Sequence, residues 1–252
     1  LLKAGPVNVV PLIKYNFMEL TARPFDQLMY SVRTGEPAFE ETFGRSFYEY
    51  LNDNPATQAF FESFMRHWAR QMTDDEMESF GLANYTKVAD LGGSDGYFLS
   101  QALLRYPNLT GVLTDLPNVV SAAGPVLARH GVADRVAIEA GDFFTDPLPS
   151  GCDAYLLKAV LHNWSDEKAL TLLHRVREQI GDTGASLLVW DQVMAPANRW
   201  DHAKLLDVDM LVLYGGRERT LTEWRELFDA AGFDLVNEPV EHWAVLVGKP
   251  RS

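Results

Sequence analysis

The sequence predicts an α/β fold, a parallel sheet with helices on both faces, entered through an all-helical segment. Three observations carry this reading. From Lys87 onward, short apolar runs alternate with amphipathic helical stretches, the pattern that crossover helices impose on a parallel sheet. The first run leads into a glycine-rich turn, Gly92-Gly93-Ser94-Asp95-Gly96. Before residue 80, apolar residues instead recur at helical spacing.

In chain order, residues 17–32 and 43–51 read as helices separated by the turn signal Gly35-Glu36-Pro37. Asn54-Pro55 then starts a longer helix, because proline is tolerated at the first helical position. Phe61, Phe64, Met65, Trp68 and Met72 put one apolar face along it. Strands are expected at 87–91, 109–114, 135–139, 153–158 and 186–191. Between the last two, Ser165 caps a helix carrying Ala169, Leu172, Leu173, Val176 and Ile180 on one face. Two closing strands are expected at 233–240 and 242–247, and the domain boundary falls between a helical segment, 1–80, and a catalytic domain, 81–252.

The 252 residues suffice for one large domain, or one with a helical appendage. Hydrophobic residues at 47% and charged residues at 23% match an ordinary globular chain and exclude a disordered one. With 22 basic against 35 acidic residues the net charge is −13, so a nucleic-acid surface would oppose the global field. The lone Cys152 excludes an intrachain disulfide framework and makes cytoplasm the expected compartment. No apolar run reaches the roughly 18–20 residues of a membrane span, the best candidate, 205–214, being interrupted by Asp207 and Asp209. The start at Leu1, without an initiator methionine, reads as internal.

In parallel sheets, ligands bind beyond the carboxyl ends of the strands. Gly92, Gly93 and Gly96 would let a ligand approach backbone N–H groups at a helix start, or serve strand-to-helix packing alone. A dinucleotide fingerprint fails because Ser94 stands where its second glycine belongs, and no Gly-Lys-Ser/Thr occurs for a phosphate-binding loop. Asp115 ends the second strand about 20 residues beyond the glycine turn, where an acid can accept from both ribose hydroxyls. Asp142-Phe143 follows the third strand, an acid for an exocyclic amine beside a ring for a purine face. Either acid alone would equally serve as a loop residue or cap; together with the glycine turn they favour an adenosine-containing cofactor. Lys158 closes the fourth strand, and His162 follows just before the Ser165 cap, placed for a general base or a satisfied structural role.

Five ordered segments, DLGGSDG, TDLP, GDFF, LLKAVLHNW and GGRERTLTEW, resemble those of the S-adenosylmethionine-dependent small-molecule O-methyltransferases, the group of the caffeate, acetylserotonin and bacterial polyketide-tailoring enzymes. The likeness runs over about residues 24 to 248. It implies the class I methyltransferase (Rossmann-like) fold, a seven-stranded sheet with a reversed last strand, with the N-terminal helices as a cap. Position by position, it assigns S-adenosyl-L-methionine to Asp90, Gly92, Gly93, Asp115, Leu116, Asp142, Phe143 and Lys158. It makes His162 the catalytic base, bracketed by Asp191 and Glu218. Phe25, Met29, Trp164, Met194, Met210 and Tyr214 would line the pocket of a small aromatic hydroxyl acceptor. No metal is implied.

Ser94 stands where the family usually has a third consecutive glycine, and Asn163 where it has aspartate. The family's winged-helix dimerisation domain has no counterpart in this stretch, which bears on the homodimer the resemblance would otherwise imply. The expected reaction is methyl transfer to a hydroxyl. The alternatives are a hydroxylase or decarboxylase on the same fold and a non-catalytic cofactor-binding paralogue.

Overall fold

A computed structural model describes residues 9–69, 74–239 and 242–251. The helical segment is more broken than its apolar pattern suggests. Helix α1 (Val10–Phe17) stops at Met18, whose backbone is extended, and α2 (Glu19–Ala22) runs into a 3₁₀ turn (Arg23–Gln27) at Pro24 before α3 (Leu28–Thr34). Pro24 has no N–H to continue the ladder, so the expected single helix over 17–32 becomes three pieces. Likewise α4 (Ala38–Phe43) ends on left-handed Gly44, and a Ser46–Glu49 capping box opens α5 (Phe47–Asp53), splitting the expected helix over 43–51. Helix α6 (Pro55–Ala69) begins at the expected proline. Met72, placed on its apolar face by the sequence pattern, lies outside the described residues. Helix α7 (Asp74–Ser79) leads into the sheet domain.

The strands are β1 (Lys87–Leu91), β2 (Thr110–Asp115), β3 (Val136–Ala140), β4 (Ala154–Lys158), β5 (Ser186–Met194), β6 (Arg219–Thr220), β7 (Phe233–Leu235) and β8 (His242–Pro250). Their order is β3-β2-β1-β4-β5-β8-β7, with two-residue β6 paired to the end of β5. Pairing is parallel from β3 through β5, while β8 runs antiparallel to β5 and β7. This is the class I methyltransferase sheet that the resemblance implies, with the short β6 added. Strand β5 continues three residues beyond Asp191 because β6 and β8 pair with its end. Strand β7 is shorter than expected, and Val240 lies outside the described residues. The chain leaves β1 toward β2 on one side, and β4 lies on the other, so a crevice opens at their carboxyl ends.

Helices α8 (Tyr97–Arg105), α9 (Pro117–Val120) and α10 (Ala123–Arg129) follow the first two strands. Helices α11 (Asp166–Ile180), α12 (Ala203–Tyr214) and α13 (Leu221–Ala230) follow β4, β5 and β6. On one face of the sheet, Leu172, Leu173 and Val176 of α11 and Trp224 and Phe228 of α13 bury against Leu157, Leu187 and Val189. On the other, Phe98, Leu99 and Leu103 of α8 pack with Leu113, Leu156 and Trp190. A third cluster joins the helical segment to the sheet domain, with Leu20, Phe39, Phe47 and Leu51 against Val212 and Leu213 of α12. That cluster holds the N-terminal helices over the crevice. No described helix is long and apolar enough to cross a membrane.

Between β1 and α8, Ser94 adopts φ +56°, the left-handed region where a Cβ crowds the following carbonyl. Its N–H donates to Asp115 Oδ2 at 2.8 Å, which holds it there. Replacing Ser94 by glycine relieves that crowding but adds freedom to the unfolded chain. The expected net effect of Ser94→Gly is a stabilisation of about 0.5–1 kcal/mol, read as a higher urea midpoint at unchanged m-value.

Candidate active site

The crevice is a cavity of about 970 Å³, floored by the ends of β1, β2 and β4 and roofed by α1, α5, α6 and α12. At the β1 end the N–H groups of Gly92 and Gly93 both donate to Thr114 O, tying the turn to β2. Gly93 has no room for a side chain: a Cβ would lie 2.4 Å from Leu113 Cδ1 and 2.5 Å from Asp90 Oδ2. Asp115, at the end of β2, accepts from the N–H groups of Ser94 and Leu116, each at 2.8 Å. Burial pushes its carboxyl up, and those two bonds resist the shift. Each oxygen retains a lone pair for a ligand donor. Leu116 lines the cavity beside it. Asp142 Oδ1 accepts from Phe144 N–H at 2.8 Å, and the Phe143 ring meets Phe144 and Trp164 edge-on.

Asp90 lines the cavity from beneath the glycine turn, and its carboxylate makes no hydrogen bond with any described residue. Burial pushes it up to about 7, against the pull of the Lys158 charge. The Lys158 ammonium lies over the Trp190 ring at 4.8 Å and the Phe98 ring at 5.6 Å. Burial draws its pKa down, and Asp90 and Asp191 oppose that.

His162 sits in a 3₁₀ turn, Leu161–Asn163, directly after β4, and lines the cavity. Its Nδ1 is 2.8 Å from Glu218 Oε1 and 3.8 Å from Asp191 Oδ1. Both carboxylates are fully buried behind the ring. A proton on Nδ1 is donated to Glu218, which leaves Nε2, on the opposite edge of the ring, as the free base. Burial alone would lower the imidazole pKa, but the charges of Asp191 and Glu218 hold it above the ordinary value of 6.5. Burial pushes Asp191 up to about 7, against the pull of the His162 charge.

The turn that carries His162 is fixed from several sides. Leu161 N–H donates to Asp191 Oδ2, and Asn163 Nδ2 donates to Ala159 O. The latter is a donation that an aspartate could not make, and it gives the Asn163 departure a structural role. Arg217 N–H donates to His162 O at 2.9 Å. A Cβ on Gly216 would fall 2.1 Å from that same oxygen, so the approach requires glycine. Behind the turn, Arg219 is fully buried; it donates to Leu161 O at 3.1 Å, to Trp164 O at 3.0 Å and to Asp166 Oδ1 at 2.9 Å. Asp207 Oδ1 accepts Glu218 N–H at 2.8 Å and seats the acid.

The structure thus brings together on the cavity wall Asp90, Gly92, Gly93, Asp115, Leu116, Asp142, Phe143, Lys158 and His162, with Trp164, Met210 and Tyr214. Asp191 and Glu218 lie one layer behind. Three expected pocket residues lie elsewhere. Phe25 packs in the helical cluster, Met29 is 52% exposed on α3, and Met194 ends β5 in register with Thr220. Phe25 lies in the 3₁₀ turn at Pro24 and Met29 on the short helix after it, so neither continues the cavity-lining face of α1. Tyr15 of α1 and Phe61 and Phe64 of α6 close the wall instead. Sequence reasoning used GGRERT only for Glu218. The supports Gly216 and Arg219 stand in the same six residues, and Asp207 was weighed only as a charge interrupting an apolar run.

Residues 25–234 match the O-methyltransferase domain family, and the chain belongs to that family. It is 40% identical over 227 residues to an 8-amino-8-demethylriboflavin N,N-dimethyltransferase of Streptomyces davaonensis, covering 88% of this chain and 65% of that protein. It is 37% identical over 216 residues to an aclacinomycin 10-hydroxylase of Streptomyces purpurascens, covering 85% and 57%. Among solved structures it is similar to an O-methyltransferase from neocarzinostatin biosynthesis, determined in complex with S-adenosyl-L-homocysteine and 1,4-dihydroxy-2-naphthoic acid. That match has a TM-score of 0.82 and 33% identity, and covers 91% of this chain and 69% of the other. The chain spans about three fifths of the length of the curated relatives it matches.

Removing Arg219 would take one donor from Leu161 O, which keeps Trp164 N–H, the side-chain donor from Trp164 O, and the buried partner of Asp166. Arg219→Ala is expected to cost about 3–5 kcal/mol, the range for breaking a buried charged network, read by urea unfolding. Arg219→Lys keeps the charge but not the fork, and should recover only part of it.

Proposed function

We propose that this member of the O-methyltransferase family transfers a methyl group from S-adenosyl-L-methionine to a hydroxyl of a small aromatic acceptor, with His162 as general base. The observation that carries the reading is the His162–Glu218 contact, a buried carboxylate that fixes one ring nitrogen and leaves the other to a cavity with aromatic walls. In this reading residues 1–80 serve as the cap and 81–252 as the catalytic domain.

The residues present suit the cofactor. Asp90 offers a buried carboxylate without a hydrogen-bond donor, matched to an ammonium group, and Asp115 offers free lone pairs at the β2 end, matched to ribose hydroxyls. Phe143 offers a ring face beside Asp142. When bound, the cofactor supplies an electrophilic methyl carbon. His162 Nε2 takes the acceptor proton as that oxygen becomes nucleophilic, an effect typically worth about 10²–10⁴-fold. Glu218 and Asp191 then stabilise the imidazolium at its far edge. The cap excludes water and aligns the acceptor, which supplies the rest of the rate as orientation.

The hydroxylation named for one relative and the amine methylation named for another are the competing readings. The buried acids behind a neutral imidazole favour proton removal from a hydroxyl, because an uncharged aromatic amine can attack before it loses its proton.

His162→Ala is expected to lower kcat on a hydroxylated aromatic by about 10²–10⁴-fold, while the dissociation constant for S-adenosylhomocysteine, measured by calorimetry, stays within a factor of two or so. A variant that keeps its rate sinks the base assignment. The sign of the pH dependence also follows. The base acts only when neutral, so kcat/KM should rise with pH through a midpoint above 6.5 and be lost below it. Glu218→Gln removes one of the charges that raise this midpoint, and the acid limb should move to lower pH.

A further inference from the structure

Helix α12 and the loop before it carry Asp201, Asp207 and Asp209. Two of the three are consumed by the fold. Asp201 accepts from the N–H groups of Ala195 and Ala203, and Asp207 accepts from Glu218 N–H. Asp209 lines the cavity and makes no hydrogen bond or short ion pair with any described residue; the charge it feels most is His202, two turns back at the start of α12. Its position is fixed by neighbours on the same helix, since Met210 is buried and Tyr214 faces the cavity.

The surroundings are aromatic. Tyr214 OH is 2.6 Å from Tyr15 OH, and the Tyr15 ring stacks on Phe64 at 4.3 Å with the planes 4° apart. Asp209, Tyr15 and Tyr214 all line the same cavity, and the Asp209 charge adds to the larger effect of burial that pushes both phenols up. A carboxylate among apolar ring faces is costly to bury without a partner. The groups that relieve that cost are cations, and a cation over aromatic faces gains from the rings as well. Among the described residues, the lysine and arginine that line the cavity, Lys158 and Arg66, stand toward the sheet and the glycine turn, Arg66 paired to Asp95, and the basic group acting on Asp209 is the exposed imidazole of His202, which also lines the cavity.

We propose that Asp209 is a specificity-determining residue that selects acceptors carrying a basic amino substituent, the protonated nitrogen lying against Asp209 and the Tyr15–Tyr214 pair while the hydroxyl lies at His162. The assignment rests on the methyl-transfer reading for where the hydroxyl goes, and on the cavity alone for where the ammonium goes. It makes the acceptor an amino-substituted phenol or naphthol.

The test uses matched naphthols that carry either an aminomethyl or a hydroxymethyl group at the same ring position, across several positions. Their dissociation constants are measured with S-adenosylhomocysteine present, in the wild-type chain and in Asp209→Asn. The wild type is expected to favour the amine at one or more positions by roughly tenfold or more, the worth of a charge-assisted hydrogen bond. Asp209→Asn, which keeps the shape and removes the charge, should erase most of that ratio, with the hydroxymethyl compound as the internal reference. A wild type without amine preference overturns the proposal, as does a preference that survives in Asp209→Asn. Binding is read without turnover, so this outcome is separable from the base assignment. Loss of amine preference leaves the His162→Ala result intact, and an active His162→Ala variant leaves the amine preference intact.

Discussion

The site depends on one buried cation. Arg219 is fully buried, with its guanidinium 5.2 Å from the centre of the Trp224 ring, and its donors reach Leu161 O, Trp164 O and Asp166 on either side of His162. A lysine could not hold these partners at once, because they diverge as the planar fork does. The same short strand carries Arg219 into pairing with the end of β5, so the histidine turn, Asp191 and Glu218 are fixed to one another through β5 and β6. Gly216 permits that approach by lying against His162 O without a Cβ. The geometry around His162 is thus held by the carboxyl end of β5 and the short strand paired to it.

That arrangement distributes charge with an order to it. Lys158 ends β4 and faces Asp90 on one side and Asp191 on the other, while Asp191 shares the His162 imidazole with Glu218. Each buried charge has an opposite one near it, and the sums are close: Asp90 and Asp191 are both held near 7. Two carboxyls held near 7 beside the imidazole can take up a proton at low cost, which suits the proposed role of His162 as a base. A more completely paired set would hold its protons fixed.

The sheet was legible in the sequence because its signals are local. Apolar runs of strand length set β1, β2, β4 and β5 to within a few residues, and the residues just beyond them are the ones that face the crevice. His162, Asp115 and Lys158 could be found that way. The helical segment was less legible. Its apolar pattern runs through Pro24 and Gly44, and the pattern alone does not say that the chain turns there; the missing N–H of Pro24 and the left-handed backbone of Gly44 do. The resemblance points to Phe25 and Met29 from this segment, but Tyr15 and Phe61 are the rings it sends to the cavity. Arg219 was hidden for a different reason. A buried arginine has no periodicity to betray it, and only the carbonyls of a turn nearly sixty residues earlier in the chain explain it.

The division between legible and hidden residues follows a division of labour. The strand ends on the proposed cofactor side are constrained by backbone hydrogen bonds and leave room for few side chains, as the filled space above Gly93 shows. The opposite wall is built from rings on α1, α5, α6 and α12 that meet one another stacked or tilted. Those contacts are apolar and replaceable in volume, so the wall can change shape without disturbing the sheet. A charged group on that wall has no such freedom. Asp209 lines that wall half-buried, without a hydrogen bond to any described residue, and in the proposed reading the group that offsets its partial desolvation enters with the acceptor.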